Sequence, residues 1–142
     1  MQEILVLNGP NLGMLGAREP EVYGHATLDD LRELLEARKT AEQRIEVRQT
    51  GDEAELIGWI HEAFHRGCDV ILNPAAFTHY SYGLRDAAAM LQGTSRLIEV
   101  HISNPHTREA FRHMSTISGV ATGVIAGFGF QSYVLALSAL TD

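Results

Sequence analysis

The chain is poor in cysteine, in basic residues and in long apolar runs, and each shortage removes a class of function. Its one cysteine, Cys68, cannot close an internal disulfide. That points to a reducing compartment, and the thiol reads as a small buried hydrophobe. No apolar run reaches the ~18–20 residues of a membrane span. Met1-Gln2-Glu3 leads straight into apolar residues with no basic stretch, so no signal peptide is apparent. A cytoplasmic protein, free of the membrane, is expected. Lysine and arginine number 11 against 18 aspartates and glutamates, a net charge of −7. An acidic chain repels phosphate backbones, so nucleic acid is not an expected partner. An anionic ligand would need a few local cations and backbone amides.

Nucleotide and metal signatures are also missing. Gly9, Gly13 and Gly16 do not form G-x-G-x-x-G, and no Walker sequence or Gly-x-Ser-x-Gly elbow occurs. His101, His106 and His113 have no cysteine partners and no metal-site spacing. His61-Glu62-Ala63-Phe64-His65 does match the zinc-protease pattern H-E-x-x-H. Its histidines lie off the Leu56/Ile57/Ile60/Phe64 stripe, however, so they belong on a wet helix surface with no third ligand. No cofactor and no metal are expected.

What is present is a regular alternation. Short β-rich runs fall at Ile4–Leu7, Ile45–Gln49, Val70–Leu72, Leu97–Val100 and Gly119–Ile125. Helical stripes lie between and after them. Leu28, Leu31, Leu34 and Leu35 share a face, with Thr27 as N-cap and Asp29 and Asp30 in the first turn. Leu56 to Phe64 forms a second stripe, which Gly67 can end. Ser81–Leu91 and Phe130–Leu140 are further helices, with a short helical turn near Thr107–Phe111. With 142 residues this is one domain, 1–142. Five strands joined by right-handed helical crossovers predict an α/β fold. The expected form is a flavodoxin-like doubly wound sandwich with a five-stranded parallel sheet of order 2-1-3-4-5.

Gly9 to Gly24 does not fit a plain connection. It holds four glycines and two prolines over sixteen residues, beyond the usual loop length of about 12–15, and such loops are often active-site lids. It also carries Asn11, Arg18, Glu19 and Tyr23. A phenol is a poor base at neutral pH, since its ordinary pKa is about 10. An arginine beside it favours the phenolate. Lowering that pKa from about 10 to about 8 takes about 2.7 kcal/mol of differential interaction, within reach of close cations in a site closed to water.

In an open parallel sheet ligands bind beyond the carboxyl ends of the strands, and here those ends are polar. Strand one exits into Asn8 and Asn11. Strand three exits into Asn73, Thr78, His79 and Ser81, and strand four into His101, Ser103 and Asn104. A lone Asn after a strand is usually a turn residue, but three such exits carrying two histidines point to one crevice. His101 is a general acid or base near neutral pH. Glu99, two residues earlier, leans to the same face and favours its protonated form; otherwise Glu99 is a strand carboxylate facing solvent.

These residues resemble a known family. Asn8-Gly9-Pro10-Asn11-Leu12-Gly13, Leu15–Pro20 and Tyr23-Gly24 are similar to the N-terminal signature of the type II 3-dehydroquinate dehydratases. Asn73–His79 with Leu84–Ala87, and Ile98–Asn104 with Arg108-Glu109 and Phe111-Arg112, resemble its middle and third blocks. The likeness runs nearly end to end. It implies dehydration of 3-dehydroquinate to 3-dehydroshikimate, in the shikimate or quinate pathway. By the resemblance Tyr23 is the base, Arg18 keeps it ionised, and Asn11 stabilises an enolate through a water. His101 is the general acid, with Glu99 and Asn73 beside it. His79, Arg112, Ser103 and the Ile102 backbone bind the substrate's hydroxyls and carboxylate. Asp86 reaches an adjacent subunit's site in a homododecamer, a tetramer of trimers. Gly51-Asp52, Ala75, Phe77, Tyr80 and Ser132 depart from the usual pattern. A non-catalytic flavodoxin-like module is disfavoured, because residues 8–16 contain no Ser, Thr, Asp or Glu. An inactive relative is disfavoured because Asn11, Arg18, Tyr23, Asn73 and His101 are all retained.

Overall fold

The computed structural model of the chain describes residues 1–17, 21 and 26–142. Arg18 and Tyr23, and with them much of the expected lid, lie outside the described residues. Five strands form one parallel sheet: β1 Gln2–Asn8, β2 Gln43–Gln49, β3 Asp69–Asn73, β4 Leu97–His101 and β5 Gly123–Ala126. Their order is β2-β1-β3-β4-β5, all neighbours parallel. This is the order expected from the sequence. Among the described residues four α-helices accompany the sheet: α1 Leu28–Arg38, α2 Glu53–Arg66, α3 Tyr82–Ala89 and α4 Gln131–Leu140.

Side chains alternate across a strand with period two, and this divides the core. Leu5 and Leu7 of β1, with Val70 and Leu72 of β3, pack against Leu56 and Ile60 of α2 and Leu84 and Ala88 of α3. Ile4 and Val6, with Ile71 and Val100, pack on the other face against Leu31 and Leu35 of α1 and Tyr133 and Leu137 of α4. Apolar residues on both faces explain why β1 and β3 read as continuous hydrophobic runs. Cys68 is buried and unpaired in the first of these layers. Among the described residues no helix is long and apolar enough to cross a membrane.

Helix ends follow local chemistry. Thr27 and Asp30 form a reciprocal capping box at α1. Asp52 accepts the amides of Ala54 and Glu55 at α2, which gives that departure from the family pattern a structural use. Gly67 adopts φ 71° and closes α2 in the left-handed conformation. Ser81 accepts the Leu84 amide at the start of α3.

Some boundaries differ from the sequence reading. β2 begins at Gln43, because its buried side chain bonds Gln2 and Thr141 and extends the pairing with β1. α3 ends at Ala89 rather than Leu91. The expected fifth strand is strand only from Gly123; residues Ser118–Val120 form a 3-10 turn instead. The Ser115 hydroxyl accepts the amides of Ile117 and Ser118 and curls the chain there. The helical turn expected near Thr107–Phe111 resolves into two, Pro105–Thr107 and Ala110–His113.

Candidate active site

The exits of β1 and β3 lie side by side, with Asn8 opposite Asn73 in the register. The Gly9 amide donates to the Asn73 carbonyl at 2.8 Å. A Cβ at Gly9 would stand 2.5 Å from the Pro74 carbonyl oxygen, so only glycine allows this approach. Beneath it lies a buried polar network. The Tyr133 hydroxyl donates to Asn8 Oδ1 at 2.6 Å and accepts from Asn73 Nδ2 at 2.9 Å. Asn8 Nδ2 donates to the Arg48 carbonyl, and Asn73 Oδ1 accepts the Ala75 amide. Each atom of this neutral set is satisfied. Burial pushes the Tyr133 hydroxyl far above the usual tyrosine range, so it stays protonated.

A crevice of about 160 Å³ opens above these exits. Asn11 and Leu12 line it after β1, Asn73 and His79 after β3, and His101, Ile102, Ser103, Arg108 and Arg112 at and after β4. Ligand pockets commonly run to about 300–1,000 Å³, so its described walls suit one small molecule. Nine of the eleven residues singled out from the sequence lie among the described residues. Glu99 reaches this crevice only through His101, and Asp86 stands apart, exposed on α3 and paired with Arg85.

The ionisable centre is Glu99 with His101. Residues 97, 99 and 101 share a face of β4, and Glu99 is 1% exposed, not a solvent-facing carboxylate. His101 Nε2 lies 2.5 Å from Glu99 Oε2. The Ser115 hydroxyl stands 3.1 Å from both carboxylate oxygens, and Ser118 donates to Oε1 at 2.8 Å. Burial alone would raise the Glu99 pKa. The His101 hydrogen bond and charge, with the Ser118 and Ser115 donors, outweigh it and hold Glu99 below the usual carboxylate value. A carboxylate surrounded by donors accepts only, so Nε2 of His101 carries a proton.

His79 is set differently. Its Nδ1 lies 2.8 Å from the Met114 carbonyl, which can only accept, so Nδ1 is the protonated nitrogen. Burial, chiefly, lowers its pKa despite that bond, and the charges of His101 and Arg112 add to the effect. At neutral pH its Nε2 is therefore an acceptor. Arg112 is held by Glu109 at 3.2 Å and lies over the Phe111 ring. Arg108 donates to Ser103 at 3.3 Å. Asn11 takes a left-handed backbone with φ 67°, which asparagine tolerates. Ala75 is forced to φ 53°, a conformation that carries strain in a residue with a Cβ.

The sequence reading gave no role to Ser115, Ser118, Arg108 or Tyr133. A tyrosine in the otherwise apolar α4 stripe was the one available signal for the buried network. Nothing in spacing could assign the serines, since they lie 16 and 19 residues beyond their carboxylate. Tyr80, a departure from the family pattern, is exposed and packs edge-on against Phe77. Ser132 is buried and its hydroxyl accepts the Phe128 amide.

The H-E-x-x-H stretch lies on α2 with both histidines exposed. Its Glu62 is taken up by Arg48, at 2.8 Å, and by Arg66. These arginines, Arg48 first, pull the Glu62 pKa down to about 2. Among the described residues no group of three or more His, Cys, Asp or Glu side chains could hold a metal ion.

Known proteins with similar sequences and structures accord with this site. Residues 2–141 match the family described as dehydroquinase class II. A 3-dehydroquinate dehydratase of Salinispora arenicola is 57% identical over 136 residues, covering 94% of this chain and 93% of the relative. One from Halalkalibacterium halodurans is 49% identical, covering 100% and 97%. The crystal structure of type II dehydroquinase from Propionibacterium acnes superposes with a TM-score of 0.93 at 50% identity, over 99% of this chain and 96% of that one. On fold, crevice and end-to-end similarity together, the chain belongs to the class II dehydroquinase family.

Proposed function

We propose that this chain is a hydro-lyase that converts 3-dehydroquinate to 3-dehydroshikimate and water, serving the shikimate or quinate pathway, through an enolate. The observation that carries the reading is the buried Glu99–His101 pair opening on a small polar crevice at the carboxyl ends of β1, β3 and β4. Residues 9–24 act as a lid on the single domain. The Tyr23 phenolate, kept charged by Arg18, takes the proton alpha to the ketone. The electron pair left behind forms an enolate, whose oxygen is stabilised by a water that Asn11 holds. The enolate then collapses to a conjugated double bond and expels the beta hydroxyl, which takes a proton from His101 and leaves as water. Proton transfer from Tyr23 back to His101 through solvent resets the pair.

The remaining residues hold the ring. His79, with its Nε2 free to accept, binds a substrate hydroxyl. Ser103, the Ile102 amide and Arg112 hold the carboxylate, which an acidic protein must bind locally. Asn73 is a substrate contact whose position is secured by Tyr133 and Ala75. No step needs a metal or cofactor.

Asp86, exposed on α3, completes a neighbouring subunit's site in a homododecamer built from trimers. Exposed Tyr80, Tyr82, Phe111 and Met114 support self-association. Sedimentation should give a mass of twelve chains; a monomer would remove Asp86 from the site. A cytoplasmic location accords with the single buried, unpaired cysteine.

The direct test adds 3-dehydroquinate to the purified chain and follows the ultraviolet absorbance of the conjugated enone. Growth of that absorbance is expected, and its absence would overturn the reading. Tyr23→Phe should abolish turnover while substrate still binds. A near-normal rate in that variant would remove the tyrosine base.

A further inference from the structure

We propose that Ser115 and Ser118 are positioning residues, which lock the Glu99 carboxylate toward His101 and keep the shared proton on the imidazole. This rests on the reading of His101 as the general acid. Ser115 Oγ accepts the amides of Ile117 and Ser118, each at 3.0 Å. Both its lone pairs are therefore occupied, and its one proton can only point at Glu99, 3.1 Å away. Ser118 donates to Oε1 at 2.8 Å. With His101 on Oε2, both carboxylate oxygens meet donors, and the group cannot rotate without losing one.

This arrangement answers a difficulty of buried pairs. Withdrawn from water, as Glu99 at 1% and His101 at 9% exposure are, an imidazolium and a carboxylate tend to neutralise each other by proton transfer. A protonated Glu99 would aim a hydrogen at a group that is itself donating. Two fixed hydroxyl donors therefore favour the anion, and the proton remains on His101. Nε2 is thereby committed to Glu99, which leaves Nδ1 as the nitrogen that gains and loses the working proton.

The surroundings supply few rivals for that task. Leu72 and Val124 flank Glu99 in the sheet register. Among the described residues the other titratable or charged groups on its side are His79, after β3, and Arg112, His106 and His113, which line a second crevice that Glu99, His101, Ser115 and Ser118 also line. His79 is tied to Met114 and Arg112 to Glu109, so neither hydrogen-bonds Glu99. His106 and His113 lie tilted against each other with ring centroids 5.7 Å apart, and His113 bonds the Arg108 carbonyl.

Ser118 gives the sharper test, because Ser115 also caps the 118–120 turn. The activity and the His101 imidazole nitrogen NMR signals of Ser118→Ala, Ser118→Thr and Ser115→Ala are compared with those of the unmodified chain across pH. Ser118→Ala should lower kcat about tenfold with KM little changed, since a hydrogen bond to a charged group is lost. The acid limb of the kcat profile should move to higher pH, as Glu99 protonates more readily. The nitrogen signals of His101 should move with it, and Ser118→Thr should restore all three. Ser115→Ala should move the acid limb and the nitrogen signals in the same direction as Ser118→Ala. A Ser118→Ala profile and nitrogen signals that superimpose on the parent's would overturn the proposal. If the unmodified chain turned over no substrate, the functional reading would fail, while the His101 signals would still decide whether the serines set that imidazole.

Discussion

Two polar networks meet at the carboxyl end of the sheet, one buried throughout and one running from buried Glu99 out to exposed Ser118, and they are built on opposite principles. Asn8, Tyr133 and Asn73 form a neutral set whose members stay in one protonation state. Ser115, Ser118, Glu99 and His101 form a charged set with a movable proton. The first fixes where the backbone of β1 and β3 ends, and so where Asn11 and His79 start. The second holds chemistry in readiness. Neutral groups serve for placement because their hydrogen bonds do not vary with pH. Titratable groups serve for catalysis because theirs do.

The comparison is broken if activity and stability respond alike in both networks. The largest effect should come from His101→Asn, which removes the acid: kcat should fall by about 10²–10⁴-fold, measured at saturating substrate. Glu99→Gln should follow, with kcat down by about 10–100-fold, the weight of a charge-assisted hydrogen bond. Glu99→Gln should also change the pH dependence of stability. The native pKa of Glu99 lies below its unfolded value, so its contribution is present above the ordinary carboxylate pKa of about 4.5. It is lost as pH falls through the native value. The parent should therefore lose stability on acidification below that point, by denaturant titration, and Glu99→Gln should lose less.

Tyr133→Phe sharpens the contrast from the other side. It strands a buried acceptor on Asn8 and a donor on Asn73, which should cost about 1–3 kcal/mol of stability. The loss should not vary with pH across the neutral range, and kcat should change far less than in His101→Asn. Ala75→Gly should have a smaller effect, a gain of up to about 1 kcal/mol in denaturant titration, since glycine relieves the left-handed backbone at φ 53°. The smallest effect expected is none. Treatment with EDTA should leave activity intact, whereas a loss restored by zinc would revive His61 and His65.

The unequal legibility of the two networks in the sequence follows from the same difference. Continuous apolar runs and helical stripes exposed the sheet and its helices, because burial on two faces leaves a pattern in nearly every strand residue, and the strand order came from the right-handed crossover rule applied to five strands. The Glu99–His101 pair was legible because its members sit two apart on one strand. The neutral clamp was not, because Tyr133 lies 125 residues from Asn8 and sits among the apolar residues that α4 buries. The serines escaped for a related reason: the turn at 115–120 lies where small, β-branched residues imitate a strand. Arg18 and Tyr23 came from loop composition and from the family resemblance, and both lie outside the described residues.

The most direct measurement is the single-turnover rate of enone formation from 3-dehydroquinate by the unmodified chain and by His101→Asn at equal substrate occupancy. The account predicts a rapid rise in the first and a rate at least about 10²-fold lower in the second. Equal rates in the two would contradict it, because the buried imidazole would then have no part in releasing water.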